Sequence, residues 1–181
     1  MKIKIKIKRF GDQILPTIIE KGDWIDLYVN ETIHIMPPQA GTLKKKQDQL
    51  QTLSYRNVTA NVTNLHLGIA VELSKGFEAI LLPRSSTPEK FGIVCANSMG
   101  VVDNSYNGNE DEWKFPVIAI RETTIEKGTR ICQFRIQLSQ KATLWQKIKW
   151  FFSSGIEIVD VDSLSNENRG GFGTTGTHEF K

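Results

Sequence analysis

Along the first ten residues, Lys2, Lys4, Lys6 and Lys8 alternate with Ile3, Ile5 and Ile7. A period of two predicts a strand to about Phe10 with one wet face, followed by a turn at Gly11-Asp12. The same period returns where Leu65, Leu67, Ile69, Val71 and Leu73 alternate with His66, Gly68, Ala70 and Glu72. Gly76 turns that strand back into Phe77–Leu82, and Pro83 stops its pairing. Phe115 to Ile120 reads as a further strand. In the next, Cys132, Phe134, Ile136 and Leu138 point inward, so Gln133 and Arg135 face the other way. Between Thr143 and Ser154 the period changes. Leu144, Trp145, Ile148, Phe151 and Phe152 fall at helical spacing, with Gln146, Lys147 and Lys149 opposite. That helix reads either as a membrane-surface element or, in preference, as one docked on its own protein or on a neighbouring subunit. Gly155 ends it, and Ile156 to Val161 is the last strand. Many short strands with one short helix predict an all-β domain.

Composition narrows the class. The 181 residues fit one domain with insertions and are enough to bury a core. A net charge of +3 gives no independent case for nucleic acid, and none is expected as a partner. The lysine–isoleucine alternation at the start lacks the continuous apolar core of a signal peptide. No segment is long and apolar enough to cross a membrane, so no membrane is expected either. Cys95 and Cys132 lie in apolar runs without metal-ligand spacing, which reads as buried free thiols in a reducing cytoplasm. His34, His66 and His178 have no neighbouring ligand set, so a zinc site is not expected.

Four stretches carry candidate chemistry. Gly100-Val101-Val102-Asp103-Asn104-Ser105-Tyr106-Asn107-Gly108 reads as a hairpin whose tip holds a carboxylate, an aromatic and free backbone groups together. That suits a small-molecule site, although on its own the stretch reads first as an ordinary hairpin with a solvated Asp. Pro83-Arg84-Ser85-Ser86 offers a guanidinium and two hydroxyls to phosphate oxygens, or is a common loop pair. Asp26, among Trp24, Ile25 and Leu27, reads structurally as a strand-end acid paired with a nearby Arg. Asn168 to Gly176 is a glycine-rich tail containing Arg169, Phe172, Gly173 and Thr174. It reads as a flexible terminus or as a loop whose amides wrap phosphates over a ligand, outside the compact domain. Pro37 to Asn64, with Lys44-Lys45-Lys46, reads as a solvated insertion, and the acids Glu110, Asp111 and Glu112 as exposed.

These four stretches and a fifth, Gly128 to Gln133, stand in one order. Gly22 to Leu27 with Asp26, Arg84-Ser85-Ser86, Gly100 to Gly108, Gly128 to Gln133 and the glycine-rich tail together resemble the trimeric dUTPase family, bacterial or phage type. Around Asp26 the chain has Gly22-Asp23-Trp24-Ile25 where the family usually has an Ala-Gly pair. The resemblance implies a β-clip or distorted jelly roll over residues 1–162, with insertions at about 37–64 and 143–154 and a flexible arm at 163–181. It implies a homotrimer with active sites between subunits and the tail donated across it.

The resemblance further implies hydrolysis of dUTP to dUMP and pyrophosphate, limiting uracil in DNA and supplying dUMP. Asp103 would activate the water that attacks the α-phosphorus. Tyr106 would stack under the deoxyribose, and backbone from Asn97 through Val101 to Val102 would read uracil. Arg84, Ser85, Ser86 and Gln133 would hold phosphates; Arg169, Gly173 and Thr174 would cover the γ-phosphate, with Phe172 on the base. Mg²⁺ would sit on phosphate oxygens and water, with Asp26 reaching it through water. Two other readings stand beside this one. A dCTP deaminase of the same superfamily needs a base-proximal glutamate where Val101-Val102-Asp103 stands. A phage-type enzyme also binds a regulatory protein, for which the two insertions are the candidate surfaces.

Overall fold

The computed structural model describes residues 1–20, 22–40 and 58–171. The lysine run at 44–46, and Phe172, Gly173 and Thr174 of the tail, lie outside the described residues. The chain begins with β1 (Ile3–Arg9), β2 (Thr17–Ile18), β3 (Ile25–Tyr28), β4 (Ile33–Ile35) and β5 (Gln39–Ala40). After the insertion come β6 (Val58–Thr59), β7 (Thr63–Glu72), β8 (Phe77–Pro83), the short helix α1 (Thr87–Phe91), β9 (Ile93–Cys95) and β10 (Gly100–Val102). The rest holds β11 (Glu112–Ala119), β12 (Thr123–Ile125), β13 (Arg130–Leu138), helix α2 (Leu144–Phe151) and β14 (Ile156–Asp160).

Two five-stranded sheets form a jelly-roll-like sandwich, one ordered β14-β1-β7-β11-β9 and the other β10-β8-β13-β3-β2. Alternation explains how they face each other. Ile3, Ile5 and Ile7 are fully buried while the lysines between them face out. Phe134 of β13 meets Trp113 of β11 edge to face, with ring centroids 5.2 Å apart, and so joins the sheets through the core. Cys132 is buried and Cys95 half-buried, both as free thiols, and burial pushes both thiols above their ordinary range. Among the described residues no helix is long and apolar enough to cross a membrane.

Three expectations are corrected. Gly100 to Gly108 is not a hairpin: β10 pairs antiparallel with β8, and the chain after it crosses to β11 in the other sheet. Nor do the acids after Gly108 share one exposed fate, since Asp111 is 1% exposed and Glu112 is clamped by His66 and Gly68. Helix α2 does form, capped by Thr143 with its capping box to Gln146. Its anchor, however, is Trp150 against Phe77 at 5.4 Å, while Leu144, Trp145, Phe151 and Phe152 remain exposed.

Candidate functional site

Strand β8 organises two clusters, one at each end. At its far end, Pro83 leads into a turn closed by the Thr87 amide donating to the Arg84 carbonyl at 3.0 Å. The buried Thr87 hydroxyl donates to the Ile131 carbonyl at 2.8 Å, which fastens this turn to β13. Pairing then sets the side chains. Gln133 lies opposite both Asp26 and Leu82, so the three share one face of the sheet. Asp26 is fully buried, with Arg84 Nε at 3.2 Å from one oxygen and Arg130 Nη1 at 3.3 Å from the other. The structural reading of Asp26 as a carboxylate paired with Arg therefore holds, with two guanidiniums rather than one. Gln133 leans toward the Pro83 carbonyl at 3.4 Å. Ser85 is exposed and Ser86 half-buried at the mouth. Together these form a cationic shelf with hydroxyls and an amide, suited to phosphate oxygens.

The other cluster lies past the near end of β8. Val102 stands opposite Ala79, so Asp103 follows at the level of Glu78. At about 3.3 Å per residue, six residues of strand put Asp103 about 20 Å from Arg84 within one chain. Strand β10 is an edge: β8 pairs with one side, and no described strand pairs with the other. Asn97 is exposed in the turn before it, and Val101 is 55% exposed on it, while Val102 packs on the core.

Asp103 is the best-served acid of the site. Its Oδ1 accepts from the Ser105 amide at 2.8 Å and from the Ser105 hydroxyl. Its Oδ2 accepts from Arg169 Nη1 at 2.6 Å. Partial burial pushes its pKa up, but the Ser105 bonds and the Arg169 charge outweigh that and hold it below the ordinary carboxylate value. Tyr106 donates its hydroxyl to the Glu112 carbonyl at 2.9 Å, which fixes the ring. Burial, with the nearby Asp111 and Glu112, keeps that phenol protonated. Asp103, Ser105 and Arg169 line a cavity of about 640 Å³ with Lys75, Lys141 and the first turn of α2.

Sequence reasoning assigned no role to Arg130, Thr87 or Asp111. Asp111 stands among acids and looks solvated, yet it accepts the amides of Gly108, Arg169 and Gly170. The tail is consequently docked through Gly171, and Phe172, Gly173 and Thr174 follow beyond the described residues.

Among the described residues no group of three His, Cys, Asp or Glu side chains could hold an ion. Asp26 Oδ2 accepts from Arg130 Nη1, whereas the buried Oδ1, 3.2 Å from Arg84 Nε, takes no hydrogen bond and keeps an acceptor site that suits a metal-bound water.

Comparison with known proteins gives a consistent picture. The sequence profile of the dUTPase family matches residues 50–149. The SPbeta prophage-derived deoxyuridine 5'-triphosphate nucleotidohydrolase of Bacillus subtilis is 40% identical over 179 residues, covering 98% of this chain and 99% of that one. The crystal structure of dUTPase from Streptococcus mutans superposes with a TM-score of 0.59 at 20% identity, covering 76% of this chain and 98% of that chain. A dUTPase from phage phi11 of S. aureus, described for its coordination of a structural Mg(II) ion, gives a TM-score of 0.56 at 14% identity. It covers 77% of this chain and 94% of its own. At those identities the two structures speak for the fold.

Proposed function

The chain belongs to the dUTPase family, and from that premise we propose a division of labour between its two clusters in the hydrolysis of dUTP. The observation that carries it is Asp103, held ionised by Ser105 and Arg169 at the end of an edge strand. An ionised carboxylate accepts a proton from water as that water attacks the α-phosphorus. The bond from the α-phosphorus to the oxygen bridging to the β-phosphorus breaks, and the electron pair leaves with pyrophosphate. dUMP is the other product, and no covalent enzyme intermediate is involved.

Base selection follows from backbone polarity. Uracil presents an N3 donor beside carbonyl acceptors, which the C=O and N–H groups on the open side of β10 match. Cytosine keeps the 2-carbonyl but reverses N3 and the 4-position, and a buried polar mismatch of that kind is strongly rejected. Tyr106, pinned by its bond to Glu112, offers a fixed ring face to the deoxyribose and no room for a 2′-hydroxyl. Arg84, Ser85, Ser86 and Gln133 grip the phosphates, with Asp26 holding Arg84 and Arg130 in place. Arg169, Phe172, Gly173 and Thr174 complete the cover from the tail. Mg²⁺, held mainly by the substrate's phosphates with Asp26 reaching it through water, would offset the negative charge that Arg84 and Arg169 also meet.

The separation of about 20 Å between Asp103 and Arg84, from strand rise, supports a site shared between copies of the chain. Its support extends to the outer face of the second sheet, where Ile80 and Leu82 lie beside Val101 and stay half-buried. We take the assembly to be a homotrimer on the family's pattern. A pyrophosphate-release assay across dUTP, UTP, dTTP and dCTP tests the reading. Release from dUTP alone is expected; ammonia from dCTP would favour the deaminase instead.

A further inference from the structure

Strand β7 is interrupted where it runs beside β11, and one carboxylate holds the interruption. Ala70 lies opposite Glu112 and His66 opposite Lys114, so β7 takes four residues where β11 takes two. The bulge falls at Gly68, whose φ of 61° is the left-handed geometry that glycine tolerates. A Cβ there would also stand 2.6 Å from Asn30 Cγ. The Gly68 carbonyl accepts from the Phe10 amide at 2.9 Å, and its own amide donates to Glu112 Oε1 at 3.0 Å. The other carboxylate oxygen, Oε2, meets His66 Nδ1 at 2.6 Å. Both partners lie on β7, so the Glu112 side chain ties the first residue of β11 across the bulge. Losing that acceptor would leave the Gly68 amide unpaired.

The same residue serves Tyr106 through its main chain. The Glu112 amide donates to the Glu110 carbonyl at 2.8 Å, and the Glu112 carbonyl accepts from the Tyr106 hydroxyl at 2.9 Å. The Tyr106 ring packs part-buried on the core, and that carbonyl fixes its outer end. Where β11 begins therefore decides where the ring ends.

The geometry points to Glu112, braced by His66, as a positioning residue for the sugar gate. This rests on the dUTP-hydrolysing reading above. The carboxylate fixes the end of β11 on the bulge, the carbonyl fixes the phenol, and the ring face then stands where a 2′-hydroxyl would have to go. A clamp that only stabilised the sheet would leave the choice of sugar untouched.

Substitution separates the two roles. Glu112→Ala loses both bonds to β7 and raises hydrolysis of UTP relative to dUTP by about the factor that Tyr106→Phe gives. In the Tyr106→Phe chain it adds less than about a twofold further change, because the bond it acts through is already gone. Glu112→Gln restores the ratio: its amide oxygen accepts from Gly68, and its amide nitrogen donates to His66 Nδ1. His66→Ala leaves the Gly68 bond in place and shifts the ratio the same way by a smaller factor. It carries the test if Glu112→Ala does not fold. An equal fall in kcat/KM for both nucleotides in the alanine variants, with the ratio unmoved while Tyr106→Ala moves it, would overturn the assignment. A failure of the functional reading shows separately, as a wild-type chain that releases no pyrophosphate from dUTP. The fluorine resonance of 3-fluorotyrosine at Tyr106, identified by its loss in Tyr106→Phe, then reads the hold without activity. It shifts or broadens in His66→Ala and returns in Glu112→Gln; a resonance that does not respond would overturn the positioning role.

Discussion

Arg169 Nη1 lies 2.6 Å from Asp103 Oδ2, so the proposed base and a proposed phosphate ligand neutralise each other across one ion pair. In the proposed reaction the γ-phosphate takes the guanidinium and leaves Asp103 with its charge intact. Ser105 keeps it low in pKa meanwhile, through two bonds to the other oxygen.

That arrangement fixes the acid side of the pH profile. The Asp103 pKa is depressed, so its ionised form persists as pH falls through the ordinary carboxylate value and is lost only through the lower, folded value. Ser105→Ala removes the hydroxyl donor from the charged form, which raises the pKa. The acid limb of kcat/KM should move to higher pH in that variant while the alkaline side stays in place. An unmoved acid limb would take Asp103 out of the role of base.

Asp26 should matter as a holder of cations. It is fully buried, but Arg84 and Arg130 keep 28% and 51% of their side chains exposed. Breaking a fully buried pair costs about 3–5 kcal/mol, and solvent at the two arginines lowers that to about 2 kcal/mol for Asp26→Asn. Denaturant titration checks it, alongside a rise in KM as Arg84 loses its hold. Unchanged stability and KM would contradict the pairing.

Tyr106 should act as the sugar gate by position. Tyr106→Ala is expected to raise hydrolysis of UTP relative to dUTP. Tyr106→Phe, which loses only the bond to the Glu112 carbonyl, should fall between. Competition between the two nucleotides reads the ratio, and an unchanged ratio in the alanine variant would place the gate elsewhere.

Much of this was legible along the chain, for a definite reason. A strand with one buried face must alternate, so Ile3 to Ile7, Leu65 to Leu73 and Cys132 to Leu138 announce themselves, and with them the outward Gln133. Partner choice between strands leaves no such mark. Whether Gly100–Val102 pairs across its own turn or with β8 depends on which edge the sandwich leaves open. Asp111 was hidden for a related reason. Its partners are backbone amides, two of them far along the chain, and an amide carries no residue type to notice. On α2 the spacing identified a helix, but which side it buries was set by the position of Phe77, and Trp150 took it.

In the proposed reaction, Asp103 and Arg84 of one chain belong to different sites. Co-expressed Arg84→Gln and Asp103→Asn copies, purified together on two tags, test it most directly. Each parent alone should be nearly inert. Hetero-oligomers should regain dUTP hydrolysis, because some sites join an intact Arg84 from one copy to an intact Asp103 from the other. Hetero-oligomers as inert as the parents would show that both groups serve one site within one chain, and would contradict the account.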